Sequence, residues 1–368
     1  MIFLGAGASA PFGPKPYSRI EDEVWDALRI YDVKEICLKA QEQIKNDKIV
    51  FDFEAILTIF EFLKDARKGI IESGPLLSWL RRENLADEIK CTPKIAKDVI
   101  KRLKELLYKN CLSVDMKKAN TVYGTFFGIL KHSKGVGLGI DHDIFTTNYD
   151  MIIEEYHWNR TKQVQPPRLK TGFEPNRNPN FLEFKPNKSY GGFNPDLAVT
   201  NIRRLFKLHG SVDQKIENNI AYKCHTEIKQ DIQFAKDMMV FPVAEKYITH
   251  YPYFTLYEYL RGIPWTVGGQ KEVCIVIGFS FRDIPIINAF LDHIIKNEKE
   301  ERESNIILID KDVSSVIENL KAFLTEEDFQ KIHKVIKPIN EEFGSEAAFK
   351  KLDYMLEGEY YMIKDLLE

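Results

Sequence analysis

Four stretches of the chain share one pattern, a short apolar run that stops abruptly at small and polar residues. Met1-Ile2-Phe3-Leu4 leads into Gly5-Ala6-Gly7-Ala8-Ser9, and Asp143-Ile144-Phe145-Thr146 into Thr147-Asn148-Tyr149-Asp150. Leu205-Phe206-Lys207-Leu208 precedes His209-Gly210-Ser211, and Val273-Cys274-Ile275-Val276-Ile277 precedes Gly278-Phe279-Ser280-Phe281-Arg282-Asp283. Apolar runs of this length predict strands of an open α/β sheet. Met238-Met239-Val240-Phe241-Pro242 and Ile306-Ile307-Leu308-Ile309-Asp310 predict two more. Elsewhere the spacing turns helical. Ser18-Arg19-Ile20-Glu21 has capping-box form, and Ile20, Val24, Ala27, Leu28 and Tyr31 follow at helical intervals, which predicts a helix over 18–31. No second strand follows it. Phe53, Ile56, Leu57, Phe60 and Leu63 form a helical stripe, and Thr92-Pro93 starts another helix carrying Val99, Leu103, Leu106 and Leu107. The stripe's phenylalanines are expected in a core or subunit interface rather than around a cofactor.

The expected fold is therefore α/β, with a Rossmann-like, mostly parallel sheet carrying helices on both faces. Residues 1–32 and 125–315 would form that domain and residues 33–124 a helical insertion. Thr325-Glu326-Glu327-Asp328 repeats the capping-box form, so residues 316–368 are expected to be helices packed on the core or on an oligomer interface. Residues 160–207 differ from the rest, with ten Lys or Arg against three Asp or Glu and six prolines that stop regular structure from running far. They read as a basic loop region that acts as a lid, a phosphate-attracting surface or a partner element, or that merely connects.

Composition narrows the field without deciding it. A 368-residue chain with 44% hydrophobic residues can build a large core, and a net charge of −3 gives no global case for nucleic acid or membrane. Five scattered cysteines, Cys37, Cys91, Cys111, Cys224 and Cys274, with no secretory signal or long apolar span, fit a reducing cytoplasm. The first strand is unusually short, so either the chain starts at Met1 or a few residues precede it. No His-Glu-x-x-His or other metal spacing is present among the eight histidines.

The chemistry sits where the strands end. Gly5 and Gly7 lack a Cβ, which lets backbone approach a pyrophosphate, and with Ala10 the spacing satisfies G-x-G-x-x-A; a tight packing corner has the same sequence form. Ligands of open α/β sheets bind outside the carboxyl ends of the strands, so the four polar ends can converge on one crevice.

Gly-Ala-Gly-Ala-Ser, Thr-Thr-Asn-Tyr-Asp, Lys-Leu-His-Gly-Ser and Gly-Phe-Ser-Phe-Arg-Asp, in that order, resemble the sirtuin-like domains of bacterial antiphage defence proteins, relatives of the sirtuin deacetylases. The resemblance implies an NAD+-binding Rossmann-type fold and hydrolysis of NAD+. Deacetylases of this family carry two Cys-x-x-Cys pairs for zinc, absent here, and an Asp-Phe-Arg after the glycine loop where this chain reads Ala10-Pro11-Phe12-Gly13. Deacylation is disfavoured, and no metal is expected. Stand-alone chains of this organisation resemble those paired with a HerA-type ATPase, with a short Argonaute as the alternative partner. Homo-oligomerisation is expected.

Cleavage of the nicotinamide–ribose bond builds positive charge on the ribose while neutral nicotinamide leaves, so the site must fix the ribose, position a water and manage a proton. Asn148 suits the first two duties and His209 the last, and the resemblance assigns both the same roles. His209 before Gly210-Ser211 also suits a turn cap or a satisfied core position, and within the four-block pattern catalysis is the favoured reading. The candidate binding residues are Gly5, Ala6, Gly7, Ala8, Ser9, Phe12, Thr147, Asp150, Gly210, Gly278, Ser280, Asp283 and Asp310. Asp150 also suits a helix cap, and Asp310 could hydrogen-bond adenosine ribose hydroxyls or simply end a strand. Two other functions remain open, an NAD+ or ADP-ribose sensor without turnover and a nuclease subunit. The intact Asn148 and His209 favour the hydrolase over the sensor, and no carboxylate–lysine metal cluster supports the nuclease.

Overall fold

The central strands carry apolar residues pointing to both faces, so each side of the sheet they form needs its own cover. The computed structural model describes residues 1–14, 17–31, 33–44, 53–65, 91–132, 143–161, 168–175, 181–185, 202–217, 220–224, 253–263 and 271–367. Its main sheet has seven parallel strands in the order β11-β10-β9-β1-β2-β6-β3. They are β1 (Ile2–Leu4), β2 (Asp143–Thr146), β3 (Arg168–Lys170), β6 (Ile202–Lys207), β9 (Lys271–Ile277), β10 (Glu303–Asp310) and β11 (Ile336–Asn340). The glycine-loop strand β1 lies in the middle, hydrogen-bonded to β2 on one side and β9 on the other. The four polar strand ends therefore come from four consecutive strands, β9, β1, β2 and β6, at one edge of the sheet.

Alternation assigns the two faces. Phe3, Phe145, Phe206, Cys274, Val276, Ile306 and Leu308 share one core with the helices at Tyr253–Gly262, Ile284–Lys299, Val313–Phe323 and Glu326–Val335. Phe145 and Phe206 stack across neighbouring strands with centroids 4.4 Å apart. Ile2, Leu4, Ile144, Leu205, Ile275, Ile277 and Ile309 point the other way, against helices at Met116–His132, Ile152–Thr161 and Glu346–Leu367. Register between β2 and β6 is pinned by Arg204, whose Nε and Nη2 donate to the two carboxylate oxygens of Asp143 at 2.6 and 2.7 Å. The expected α/β fold with helices on both faces is what the chain adopts.

The helical region forms a third core from the helices at Tyr17–Ile30, Lys34–Ile44, Phe53–Asp65 and Pro93–Leu112. Its boundaries differ from the expected 33–124. The first helix contributes Val24, Ala27 and Leu28 to this core, while residues 116–132 pack on the sheet. The stripe of Phe53, Ile56, Leu57, Phe60 and Leu63 lies inside the core, and Thr92 caps its helix by accepting from the Ile95 N–H at 3.2 Å. Met151 and Val212, next to two of the polar strand ends, belong to this core as well.

Two expectations are corrected. Residues 316–368 are not helices alone, because β11 extends the sheet at its edge, where Pro338 costs no ladder bond on the outer side. Residues 160–207 hold more than loops: besides β3 and β6 they contain β4 (Phe173–Pro175) and β5 (Phe181–Phe184). With β7 (Gln214–Glu217) and β8 (Ile220–Cys224), these form a four-stranded antiparallel sheet. The strand predicted at 238–242 lies outside the described residues. Among the described residues no helix is long and apolar enough to cross a membrane.

Candidate functional site

The turn after β1 is held by backbone. Gly5 and Gly7 donate their N–H groups to the carbonyls of Ile277 and Gly278, each at 2.9 Å, and Ala8 donates to Gly5. A Cβ on Gly5 would stand 2.4 Å from the Gly278 oxygen, and one on Gly7 2.7 Å from the Gly278 Cα. Gly278 has φ +60 and is itself pressed against Gly7 and Ala8. Three glycines thus let the turns after β1 and β9 touch without side chains. The expectation that this loop cradles a pyrophosphate with its own N–H groups needs revision for Gly5, Gly7 and Ala8, whose N–H groups are already bonded to carbonyls. The open side of the turn is Ala6, which is exposed, and the partly exposed Gly7. Phe12 is placed elsewhere: it is 1% exposed, in an aromatic cluster with Tyr123 and Phe343, so it anchors the loop to the core rather than facing a ligand.

Asn148 leaves β2 directly above this turn. Its Nδ2 donates to the Gly5 carbonyl and to Ser9 Oγ, both at 2.9 Å. Ser9 Oγ in turn donates to Asp150 Oδ2 at 2.6 Å, and Asp150 Oδ1 accepts from the Ile152 N–H at 3.0 Å. Both amide hydrogens of Asn148 are therefore committed, and Oδ1 is the atom it can offer to a ligand. Thr146 Oγ1 fixes the Asn148 backbone N–H at 3.0 Å, and the Thr147 N–H is held by the Leu4 carbonyl at 3.2 Å. Burial pushes the Asp150 carboxyl above its usual range, against the pull of Lys207 and the Ser9 bond. Asp150 orients this loop and caps the next helix, as the sequence allowed.

The His209 loop leaves β6 beside it, with the Leu208 N–H donating to the Thr146 carbonyl at 2.8 Å and the Val212 N–H to Tyr149 at 3.0 Å. Gly210 takes φ +89 to make the turn. His209 and Tyr149 rings lie 6.1 Å apart, and the His209 Nε2 is 2.9 Å from Asp283 Oδ2. Asp283 arrives from the turn after β9, where Phe281 also has positive φ, and its Oδ1 caps the helix at Ile284–Lys299 through the Ile286 N–H at 3.4 Å. Asp283, expected to touch the nucleotide, lies against the histidine. Ser280 offers its carbonyl to Asn319 at 3.1 Å, and Asp310 Oδ1 accepts from the Asp312 N–H at 2.8 Å at the end of β10. Burial raises the Asp310 carboxyl.

Beneath both loops lies a charged cluster that sequence reasoning missed. Lys207 Nζ donates to the Asp150 carbonyl, to Ser211 Oγ at 2.8 Å and to Glu154 at 3.2 Å. Lys223 on β8 pairs with Glu154 at 3.1 Å and Asp213 at 2.9 Å. Burial alone would raise the Glu154 carboxyl, but Lys207 and Lys223 outweigh it and lower it to about 2. Lys207 stood in the Lys-Leu-His-Gly-Ser block, yet nothing in one sequence pairs it with Glu154. Among the described residues no group of three or more His, Cys, Asp or Glu could hold a metal. Burial lifts the thiols of Cys91 to about 11 and Cys274 to about 12, which disfavours the thiolate that zinc requires.

A parallel sheet covered on both faces, with a glycine turn on its middle strand and Asn148, His209 and Asp283 around it, defines a Rossmann-like α/β domain, a fold class in which ligands bind outside the carboxyl ends of the strands. The SIR2-like domain family matches residues 142–332, more than half of the chain, and the chain belongs to that family. SIR2-like domains use NAD+. No curated protein matches the chain. The family match begins just before β2, so the glycine turn lies outside it and joins the site through the pairing of β1 with β2 and β9.

Proposed function

We propose that this protein is an NAD+ glycohydrolase that releases nicotinamide and ADP-ribose and acts as an antiphage effector by depleting NAD+. The observation that carries the reading is the placement of Asn148 and His209 on adjacent strand ends beside the glycine turn. With its amide hydrogens committed, Asn148 presents Oδ1 as an acceptor for a water or a ribose hydroxyl. As the C1′–N bond of the nicotinamide riboside breaks, its electron pair leaves with neutral nicotinamide, so departure needs no acid. Water adds at C1′ and its proton passes to His209, then to solvent. Asp310, at the carboxyl end of β10, is within the same edge of the sheet and suits the adenosine ribose.

Unchecked hydrolysis would kill the host cell, so the activity is gated. Gating is assigned to a homo-oligomer and a HerA-type ATPase partner, with a short Argonaute as the alternative; the resemblance of the four blocks to defence proteins supports this. Time-resolved chromatography of NAD+ with the purified protein, alone and with the candidate partner, tests the reaction. Nicotinamide and ADP-ribose should appear in equal amounts, at the same rate in EDTA. Binding of NAD+ without nicotinamide release in any of these mixtures points instead to a sensor.

A further inference from the structure

Lys207 stands two residues before His209 on β6 and takes no part in the chemistry proposed above. Its buried ammonium has three donors and no acceptor, and all three are used, on the Asp150 carbonyl, on Ser211 Oγ at 2.8 Å and on Glu154 Oε1 at 3.2 Å. The first two acceptors lie two residues past Asn148 and two residues past His209, so one side chain joins both loops. Ser211 carries the tie further. Its Oγ accepts from Lys207, and its one proton goes to the Tyr149 carbonyl at 3.3 Å, where the Val212 N–H also donates at 3.0 Å. Glu154, in the first turn of the helix at Ile152–Thr161, is held from the antiparallel sheet as well, by Lys223 of β8 at 3.1 Å. Filling this space needs no charge, since replacing a buried ion pair by apolar groups of like volume often leaves stability unchanged. We propose that Lys207 is a positioning residue that clamps the Asn148 loop to the His209 loop, and so fixes the separation between the group that orients ribose and water and the group that takes the proton. The catalytic meaning rests on the hydrolase reading; the clamp itself does not. A misplacement of about 1 Å between reacting groups costs about 10²-fold in rate, which sets the size of the expected effect.

The charges around Lys207 supply a discriminating pair of variants. Lys207→Met keeps the length of the side chain and removes its donors, but it leaves Glu154 and Asp213 to share Lys223. Adding Glu154→Gln returns one carboxylate to one ammonium, and the amide keeps an acceptor oxygen for Lys223. The double variant should therefore unfold at higher urea than Lys207→Met. Its reference is Glu154→Gln alone, which retains the clamp; Lys207→Met against the wild type gives the same comparison with the charge imbalance left in. Amide hydrogen exchange of peptides spanning 147–151 and 208–213 should be faster in the double variant than in Glu154→Gln, with β1 and β9 alike in both. With NAD+ turnover measured alongside, kcat should fall about 10²-fold between the same two proteins, with KM little changed. Faster loop exchange with equal kcat makes Lys207 a structural residue only, and the inference is overturned while the hydrolase reading stands. Equal exchange in the two loops overturns it whatever the rates. If neither the wild type nor any variant releases nicotinamide, the hydrolase reading falls, and the exchange comparison still decides the clamp: faster loops support it and unchanged loops overturn it.

Discussion

Ser9 and the Gly5 carbonyl occupy both amide hydrogens of Asn148, which leaves its acceptor oxygen as the atom it offers. Ser9 also donates to the buried Asp150, so Ser9→Ala strips a partner from two buried groups at once. The expected loss is about 1–3 kcal/mol in urea unfolding, with a fall in NAD+ turnover; an unchanged midpoint and rate would show that the chain Asn148–Ser9–Asp150 does not set the site. Glu154 is a second residue-scale lever. Its carboxyl is lowered to about 2 from 4.5, so the stability it contributes is complete above about pH 5 and is lost as pH falls toward 2. Glu154→Gln leaves Lys207 and Lys223 short of a counter-charge and should cost about 3–5 kcal/mol near neutrality. Urea midpoints of variant and wild type should converge as the pH is lowered through that window, and a gap independent of pH would refute the ion-pair account. Asn148, His209 and Asp150 were legible in the sequence because each follows an apolar run, a local signal. Lys207, Glu154 and Lys223 were not: a charged residue within a strand reads as a solvated face, and its partners come from elements far away in the chain.

At the scale of elements, the site depends on two turns that interlock. Gly7 and Gly278 are in contact because neither has a side chain, and Gly278 also needs a left-handed backbone. The sequence form G-x-G-x-x-A was read as a cradle with a packing corner as its alternative, and the packing role is the one visible in Gly5, Gly7 and Gly278. Gly7→Val must push the turn after β9 away, and that turn carries Asp283. The variant should keep its far-ultraviolet circular dichroism, lower its melting temperature and bind NAD+ more weakly by calorimetry; wild-type affinity in the folded variant would place the ligand elsewhere. β11 was missed for a physical reason. Ile336-Lys337-Pro338-Ile339-Asn340 follows a helix without a turn signal and contains a proline, which only an edge strand tolerates. β3, β4 and β5 were hidden in the same way by short length and by prolines among basic residues.

For the whole molecule, the order β9-β1-β2-β6 explains how blocks from positions 5 to 283 reach one edge, since parallel strands put every carboxyl end on the same side. The fold class was legible because buried parallel strands read as continuous apolar runs. The extent of the helical core was not, because helices at 17–30 and 116–132 have similar amphipathic stripes but turn them to different cores. That core reaches Met151 and Val212, so the two loops bearing Asn148 and His209 rest on it as well as on the sheet. The central claim is that these loops form a hydrolytic NAD+ site with His209 as the base. The direct measurement is NAD+ affinity by calorimetry beside nicotinamide release for His209→Ala, under the condition where the wild type is active. The account predicts near wild-type affinity with release reduced about 10²–10⁴-fold. Near-normal release by the folded variant would contradict it.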